Sequence, residues 1–182
     1  MNTQGRAILL AVGGGIAAYK TAILCSRLAQ AGCDVRVAMT RAATEFIGPP
    51  TLAALSGKPV ALEMFDASFP LGSHIELAEQ LDLMIVAPTT ASLLARFATG
   101  RADDLVSTLY LQVKCPVLLA PAMSATMWSK PAVGRNVEQL REDGCHFIGP
   151  ASGWLSCRVS GEGRMSEPEE ILEAGEALLS RK

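Results

Sequence analysis

The sequence predicts an α/β protein: a parallel sheet with helices packed on both faces. Three observations carry that prediction. Residues 7–12, 35–39, 83–87 and 117–120 are near-continuous apolar runs of strand length, the pattern of strands buried on both faces. Segments with helical spacing separate them, as crossover connections of one hand require. Each strong run then ends in a turn of small or polar residues: GGGIA, TRA, PTTAS and PAMSATMW. In open parallel sheets, ligands bind beyond the carboxyl ends of the strands, so these four turns are expected to form a site.

The elements follow in order. AILLAV at 7–12 has one arginine before it and three glycines after it, which suits a buried strand and not a leader peptide or membrane span. Ile16, Tyr19, Ile23, Leu24 and Leu28 keep helical spacing until Gly32 offers a stop. PTLAALSG at 50–57 places Pro near the start and Gly at the end of a short helix. Residues 60–65 and 146–148 are weaker strand candidates. SHIELAEQLD (73–82), TASLLARFATG (90–100), DDLVSTLYLQV (103–113) and KPAVGRNVEQLREDG (130–144) are expected to be helices. EPEEILEAGEALLSR (167–181) closes the series, with acids in its first turn where the helix dipole favours them. No repeat, low-complexity tract or linker interrupts the pattern, so residues 1–182 are expected to form a single domain.

Composition narrows the function classes. The chain has 182 residues, of which 49% are hydrophobic and 19% charged, enough to bury a proper core. Its net charge of −2 provides no basic surplus for nucleic acid or an anionic membrane, and neither is expected as a partner. Aromatics at 5% are too few for a base-stacking platform. Five cysteines (Cys25, Cys33, Cys115, Cys145 and Cys157) form no CxxC pair, so a reduced, cytoplasmic protein without a metal site is expected.

VGGGIAAYKT is neither a P-loop nor GxGxxG, since Tyr19 stands where a P-loop has its last glycine. A nicotinamide site also wants an acid at the end of the second strand. Here Asp34 lies at its start and Thr40-Arg41 at its end. A hydroxyl beside a cation suits a phosphate monoester better than a ribose diol. Gly14, Gly15 and Ile16 can bring backbone N–H groups and a helix dipole to that phosphate. FMN, with one phosphate and a flat ring, is therefore the expected cofactor, although tight packing alone also explains such glycines. Thr89, Thr90, Ala91 and Ser92 add two hydroxyls and exposed amides that can meet the polar edge of a flavin. A plain helix N-cap accounts for one of those hydroxyls.

Together, GGIAAYK, SHIELAEQLDLMIVAPTTASLLARFATGRADDL, APAMSATMW and GxGRM resemble the flavin-containing cysteine decarboxylases. Within them, the phosphopantothenoylcysteine decarboxylase branch of coenzyme A biosynthesis is the best match, over residues 7–168 and with the motifs in order. The resemblance implies a flavodoxin-like or Rossmann-like domain assembled as homotrimers or dodecamers, with FMN near the subunit boundary. It implies decarboxylation of phosphopantothenoylcysteine to phosphopantetheine. Flavin oxidises the substrate thiol to a thioaldehyde, CO2 leaves to give an enethiol, and the enethiol is then reduced. The domain is often fused to a ligase; a free-standing form is the expectation here.

The same resemblance assigns residues. His74 matches the active-site histidine, and an imidazole titrating near neutrality can serve as base in the thiol oxidation. Cys157 matches the cysteine of a glycine-rich flap, the proton donor that completes enethiol reduction. A thiol with a pKa of about 8.5 can donate at neutral pH, and a loop can arrive after the substrate and exclude water. Ser124 stands where the family carries an asparagine that binds the substrate carboxyl, with Met123 and Met127 beside it as substrate contacts or core filler. Gly13 replaces a common serine, and Ser92 an asparagine or aspartate. Three rival readings remain: a flavin prenyltransferase, a peptidyl-cysteine decarboxylase that stops at the enethiol, and a non-catalytic FMN-binding or regulatory relative. Cys157 argues against the second, and Ser124 is the best support for the third.

Overall fold

All six residues of β1 (Ala7–Val12) are buried, and the strand divides its side chains by alternation. Ile8, Leu10 and Val12 enter one apolar cluster, Leu9 and Ala11 the other. Two layers must therefore cover the sheet. The computed structural model describes residues 3–180 and shows both layers.

One layer holds α1 (Ala18–Gln30), α2 (Pro49–Ser56) and α8 (Pro168–Leu179), which contribute Leu24, Leu28, Leu52, Ile171 and Leu179. The other holds α3 (Ser73–Ala78), α4 (Ala91–Ala98), α5 (Leu105–Gln112) and α7 (Pro131–Glu142), with Leu77, Leu93, Phe97, Leu109 and Val137. Each fully buried leucine or isoleucine contributes about 1.5–3 kcal/mol relative to exposure. Between the layers runs a six-stranded parallel sheet in the order β3-β2-β1-β4-β5-β6. Its strands are β2 (Asp34–Met39), β3 (Val60–Ala61), β4 (Leu83–Thr89), β5 (Val117–Pro121) and β6 (His146–Phe147). The chain leaves β3 at one edge and returns to β4 beside β1. The order reverses there, so the turns after β1 and β4 diverge and open a crevice.

Several expected boundaries move, each for a physical reason. The strand expected over 60–65 stops at Ala61, and Phe65 is 98% exposed with no layer to pack against. The helix expected over 73–82 ends at Ala78. There Arg36 reaches over from β2 and donates to the carbonyls of Glu76, Leu77 and Glu79, and Gln80 turns left-handed at φ 52°. β4 runs two residues beyond its expected end. Leu24 and Leu28 of α1 are buried, but Tyr19 and, just before the helix, Ile16 are each 56% exposed and Ile23 is also exposed. The apolar stripe seen in the sequence is thus two stripes, and only one faces the sheet.

Besides a 3-10 turn at Arg41–Glu45, three elements were not expected. α6 (Ala125–Trp128) follows β5, and residues 151–164 form an antiparallel hairpin, β7 (Ala151–Trp154) with β8 (Ser160–Arg164), where a loop was expected. Among the described residues, no helix is long and apolar enough to cross a membrane.

Candidate active site

The turn after β1 forms one wall of the crevice. A Cβ on Gly13 would meet the carbonyl oxygen of Pro88 at 2.3 Å, so only glycine lets β1 and β4 lie this close. Gly13 N–H donates to that same oxygen at 3.2 Å. The next three N–H groups, of Gly14, Gly15 and Ile16, have no protein acceptor among the described residues and precede α1. Unpaired donors at a helix start are suited to an anion.

These groups line a cavity of about 470 Å³, within the usual range for small-molecule sites. Thr90 and Ala91 line it from the start of α4, and Met123, Ser124 and Met127 from the turn after β5 and from α6. The hairpin contributes Trp154 and Cys157. Its base is held down because Gly163 donates no side chain: at φ 140° a Cβ there would meet the Met123 carbonyl oxygen at 2.2 Å. The Met123 N–H donates to the Gly163 carbonyl at 2.9 Å, which fixes the hairpin to the β5 turn.

Nine sequence-derived candidates therefore meet around one cavity: Gly14, Gly15, Ile16, Thr90, Ala91, Met123, Ser124, Met127 and Cys157. Four do not. Thr40 is buried, and its hydroxyl oxygen accepts from Ala43 N–H at 3.2 Å, capping the 3-10 turn Arg41–Glu45. Thr89 is fully buried: its hydroxyl donates to the Val86 carbonyl at 2.7 Å and accepts from Ala120 N–H at 3.1 Å, joining β4 to β5. Ser92 is exposed on α4 outside the cavity lining. His74, in the first turn of α3, also lies outside the lining, and its Nδ1 is buried with no hydrogen-bond partner among the described residues.

Ser124 caps α6, its Oγ accepting from Met127 N–H at 3.3 Å, which leaves the hydroxyl proton free to donate into the cavity. Thr90 caps α4 in the same way, through Leu93 N–H at 3.3 Å. The charged lining residues are Lys20 and Arg164, both cations. Sequence reasoning missed them. Lys20 was within the quoted GGIAAYK, one turn after Ile16, and that spacing was the available signal. Arg164 was inside GxGRM, but Trp154 carried no signal because the hairpin itself was not foreseen.

A flavin mononucleotide fits this set of donors. Three free N–H groups and a helix dipole suit a phosphate monoester, Thr90 and Ala91 suit the polar rim of a ring, and Ile16, Met123 and Met127 suit its faces.

The profile of a family described as Flavoprotein matches residues 1–180. The chain belongs to the flavoprotein family. One relative is the coenzyme A biosynthesis bifunctional protein CoaBC of Mycobacterium tuberculosis, 47% identical over 174 residues that cover 96% of this chain and 41% of that protein. The chain thus spans less than half the length of that relative. Among solved flavoproteins, a cysteine-to-serine mutant of PPC decarboxylase complexed with pantothenoylaminoethenethiol superposes with a TM-score of 0.84 at 27% identity, covering 97% of this chain and 100% of that one. The FMN-dependent cysteine decarboxylase SpaF superposes with a TM-score of 0.83 at 31% identity, covering 98% and 97%. The α/β class expected from the sequence is the class of these flavoproteins.

Proposed function

We propose that this chain is an FMN-dependent decarboxylase that converts phosphopantothenoylcysteine to phosphopantetheine in coenzyme A biosynthesis. The observation that carries the reading is one cavity lined both by the free N–H groups of the β1 turn and by the hairpin thiol of Cys157. A binding module needs the first; a cysteine poised over the same space is what a two-stage redox decarboxylation adds. The relatives named above, a coenzyme A biosynthesis protein and two cysteine decarboxylases, support the substrate class.

Gly14, Gly15 and Ile16 hold the cofactor phosphate, and Thr90 and Ala91 meet the ring. FMN, when bound, accepts the two electrons taken from the substrate thiol and returns them after CO2 has left. Ser124 donates its hydroxyl proton to the substrate carboxylate, a charge-assisted bond worth about 1.5–3 kcal/mol. Met123 and Met127 pack against the chain of the substrate. Cys157 supplies the proton that the enethiol carbon takes up during its reduction, and the hairpin excludes water from that step.

His74 takes the thiol proton, and in this reading it comes from a second copy of the chain. Ile16 and Tyr19 on the cavity wall and Ile23 beyond them form an exposed apolar stripe, the kind of surface that marks an interface. His74 stands in the first turn of α3, outside its own chain's cavity, so a site that uses it draws it from a neighbouring copy. A cytoplasmic homotrimer, or a dodecamer built from trimers, is the assembly we propose; Cys25, Cys33, Cys145 and Cys157 being thiols outside any disulfide is consistent with a reducing compartment.

The test is direct. The purified protein is expected to be yellow, to release FMN on acid extraction, and to release CO2 from phosphopantothenoylcysteine. A protein that binds FMN without CO2 release is the non-catalytic relative; one that ignores FMN overturns the reading altogether.

A further inference from the structure

The two cations on the cavity wall share one carboxylate. Lys20, on α1, has a side chain only 6% exposed, and its Nζ donates to Glu167 Oε1 at 2.9 Å and to the Met165 carbonyl at 3.1 Å. Arg164, the last residue of β8, donates from Nη2 to the same Glu167 oxygen at 2.6 Å. Glu167 also serves as the N-cap of α8, where its own N–H donates to Glu170 Oε2 at 2.7 Å. Three elements therefore meet at one side chain: the helix that opens the cavity, the return strand of the hairpin, and α8. Capping alone needs no such reach, and a serine or aspartate caps better than a glutamate. A nearly buried ammonium, by contrast, must have an anionic or carbonyl partner, since an unpaired one is costly.

We propose that Glu167 is a positioning residue for the hairpin: by holding Lys20 and Arg164 together, it ties the hairpin base to α1 and so presents Cys157 to the cavity in a fixed orientation. The Met123–Gly163 bond fastens the hairpin to the β5 turn on one side, and the Glu167 junction fastens it to α1 on the other. This inference rests on the decarboxylase reading only for what the orientation is used for.

The experiment uses the full chain with FMN bound. Arg158 lies in the hairpin tip, exposed, at φ 63°, so trypsin cleaves after it only when the hairpin opens locally. Glu167→Ser keeps an N-cap but cannot reach either cation. Cleavage after Arg158 is expected to be about tenfold faster, because cleavage follows the population of the open form. Cleavage after Arg135, on α7 in the opposite layer, is expected to stay at the wild-type rate. Glu167→Gln, which keeps a neutral acceptor, should fall between the two. Lys20→Met combined with Glu167→Ser removes the unpaired ammonium and should match the single variant. In turnover, Glu167→Ser is expected to raise KM more than it lowers kcat and to release part of the product as enethiol. Unchanged cleavage after Arg158 overturns the proposal, and so does a parallel rise after Arg135, which marks a general loss of stability. Proteolysis needs no turnover, so a protein whose hairpin loosens as described but which never releases CO2 overturns the decarboxylase reading alone.

Discussion

Thr89 and Thr90 are chain neighbours with opposite employment. The strand alternation that buries Thr89 against Val86 and Ala120 turns Thr90 to the cavity. In the proposed reaction, Ser124 and Cys157 are the cavity residues whose chemistry decides the outcome. Ser124 has one hydroxyl proton on a short stem, where a carboxamide would offer two, and its oxygen is already engaged with Met127 N–H. The wild-type protein is expected to be active, Ser124→Ala to raise KM about tenfold or more, and Ser124→Asn to keep or improve turnover. An inactive wild type restored by Ser124→Asn identifies a relative that has lost its chemistry, and three equal forms show that residue 124 does not touch substrate. Cys157 is exposed at the hairpin tip, whereas burial pushes the Cys25 thiol up to about 11. Cys157 is therefore the thiol expected to react first with an alkylating reagent at pH 8, and Cys25 only on unfolding. Cys157→Ser should complete decarboxylation in a single turnover and stop there, with enethiol detectable by mass. Normal turnover by that variant removes Cys157 from the mechanism.

At the scale of elements, the hairpin is the part that local patterns did not announce. ASGW and SGEGR lack the β-branched alternation of strands, and they pair because the β5 turn lies beneath them. Gly163 makes that contact possible, with its left-handed φ and its approach to the Met123 carbonyl. Gly163→Ala is expected to cost more than the roughly 1 kcal/mol of an ordinary left-handed alanine, because the hairpin must also lift from the turn. Substrate KM and tryptic cleavage after Arg158 should rise together while the sheet unfolds at its usual denaturant concentration. An alanine variant with both quantities unchanged shows that the contact does not hold the hairpin. α3 teaches a related lesson. Its helical pattern continues to Asp82, but Arg36 captures its last carbonyls from another strand, and that competition is invisible in the pattern itself.

The whole molecule sets acid stability, and the proposed assembly sets how sites are shared. Hydrogen bonding and the charge of Lys58 hold Asp34 below the usual aspartate range, and Lys20 does the same for Glu167 with help from Arg164. Both carboxylates are lowered in the folded state, so their stabilisation is complete above the ordinary carboxylate range and is lost as pH falls through the lowered folded values. Urea midpoints are expected to be level between about pH 5 and 7 and to fall below about pH 4. Asp34→Asn should flatten the acid limb in part, and added salt should weaken the effect because both groups are partly exposed. An unchanged acid limb in that variant assigns the fall to other groups. For shared sites, His74→Asn is expected to stay yellow and lose CO2 release by about 10²–10⁴-fold. Refolding it together with Cys157→Ser should recover part of the turnover in mixed assemblies, because some sites then pair an intact cavity with an intact histidine. No recovery means that His74 and Cys157 serve from the same copy.

The sequence by itself determined the parallel sheet, the order of its strands along the chain, the turns at its carboxyl edge and the family. The first three depend on short-range patterns, namely apolar runs, helical spacing, and glycine or proline at element ends, and the family on motifs matched in order along the chain. Only the tertiary structure decided which of Thr40, Thr89, Thr90 and Ser92 faces the cavity, that Lys20 and Arg164 share Glu167, and that His74 stands apart. It also turned Tyr19 and Ile23 outward from a helix whose spacing pointed them to the core, and left Ile16 ahead of that helix. The physical reason is that a hydroxyl, an ammonium or an apolar stripe takes whichever partner the fold brings within reach, and that partner is 31 residues away for Thr89 and 147 for Lys20.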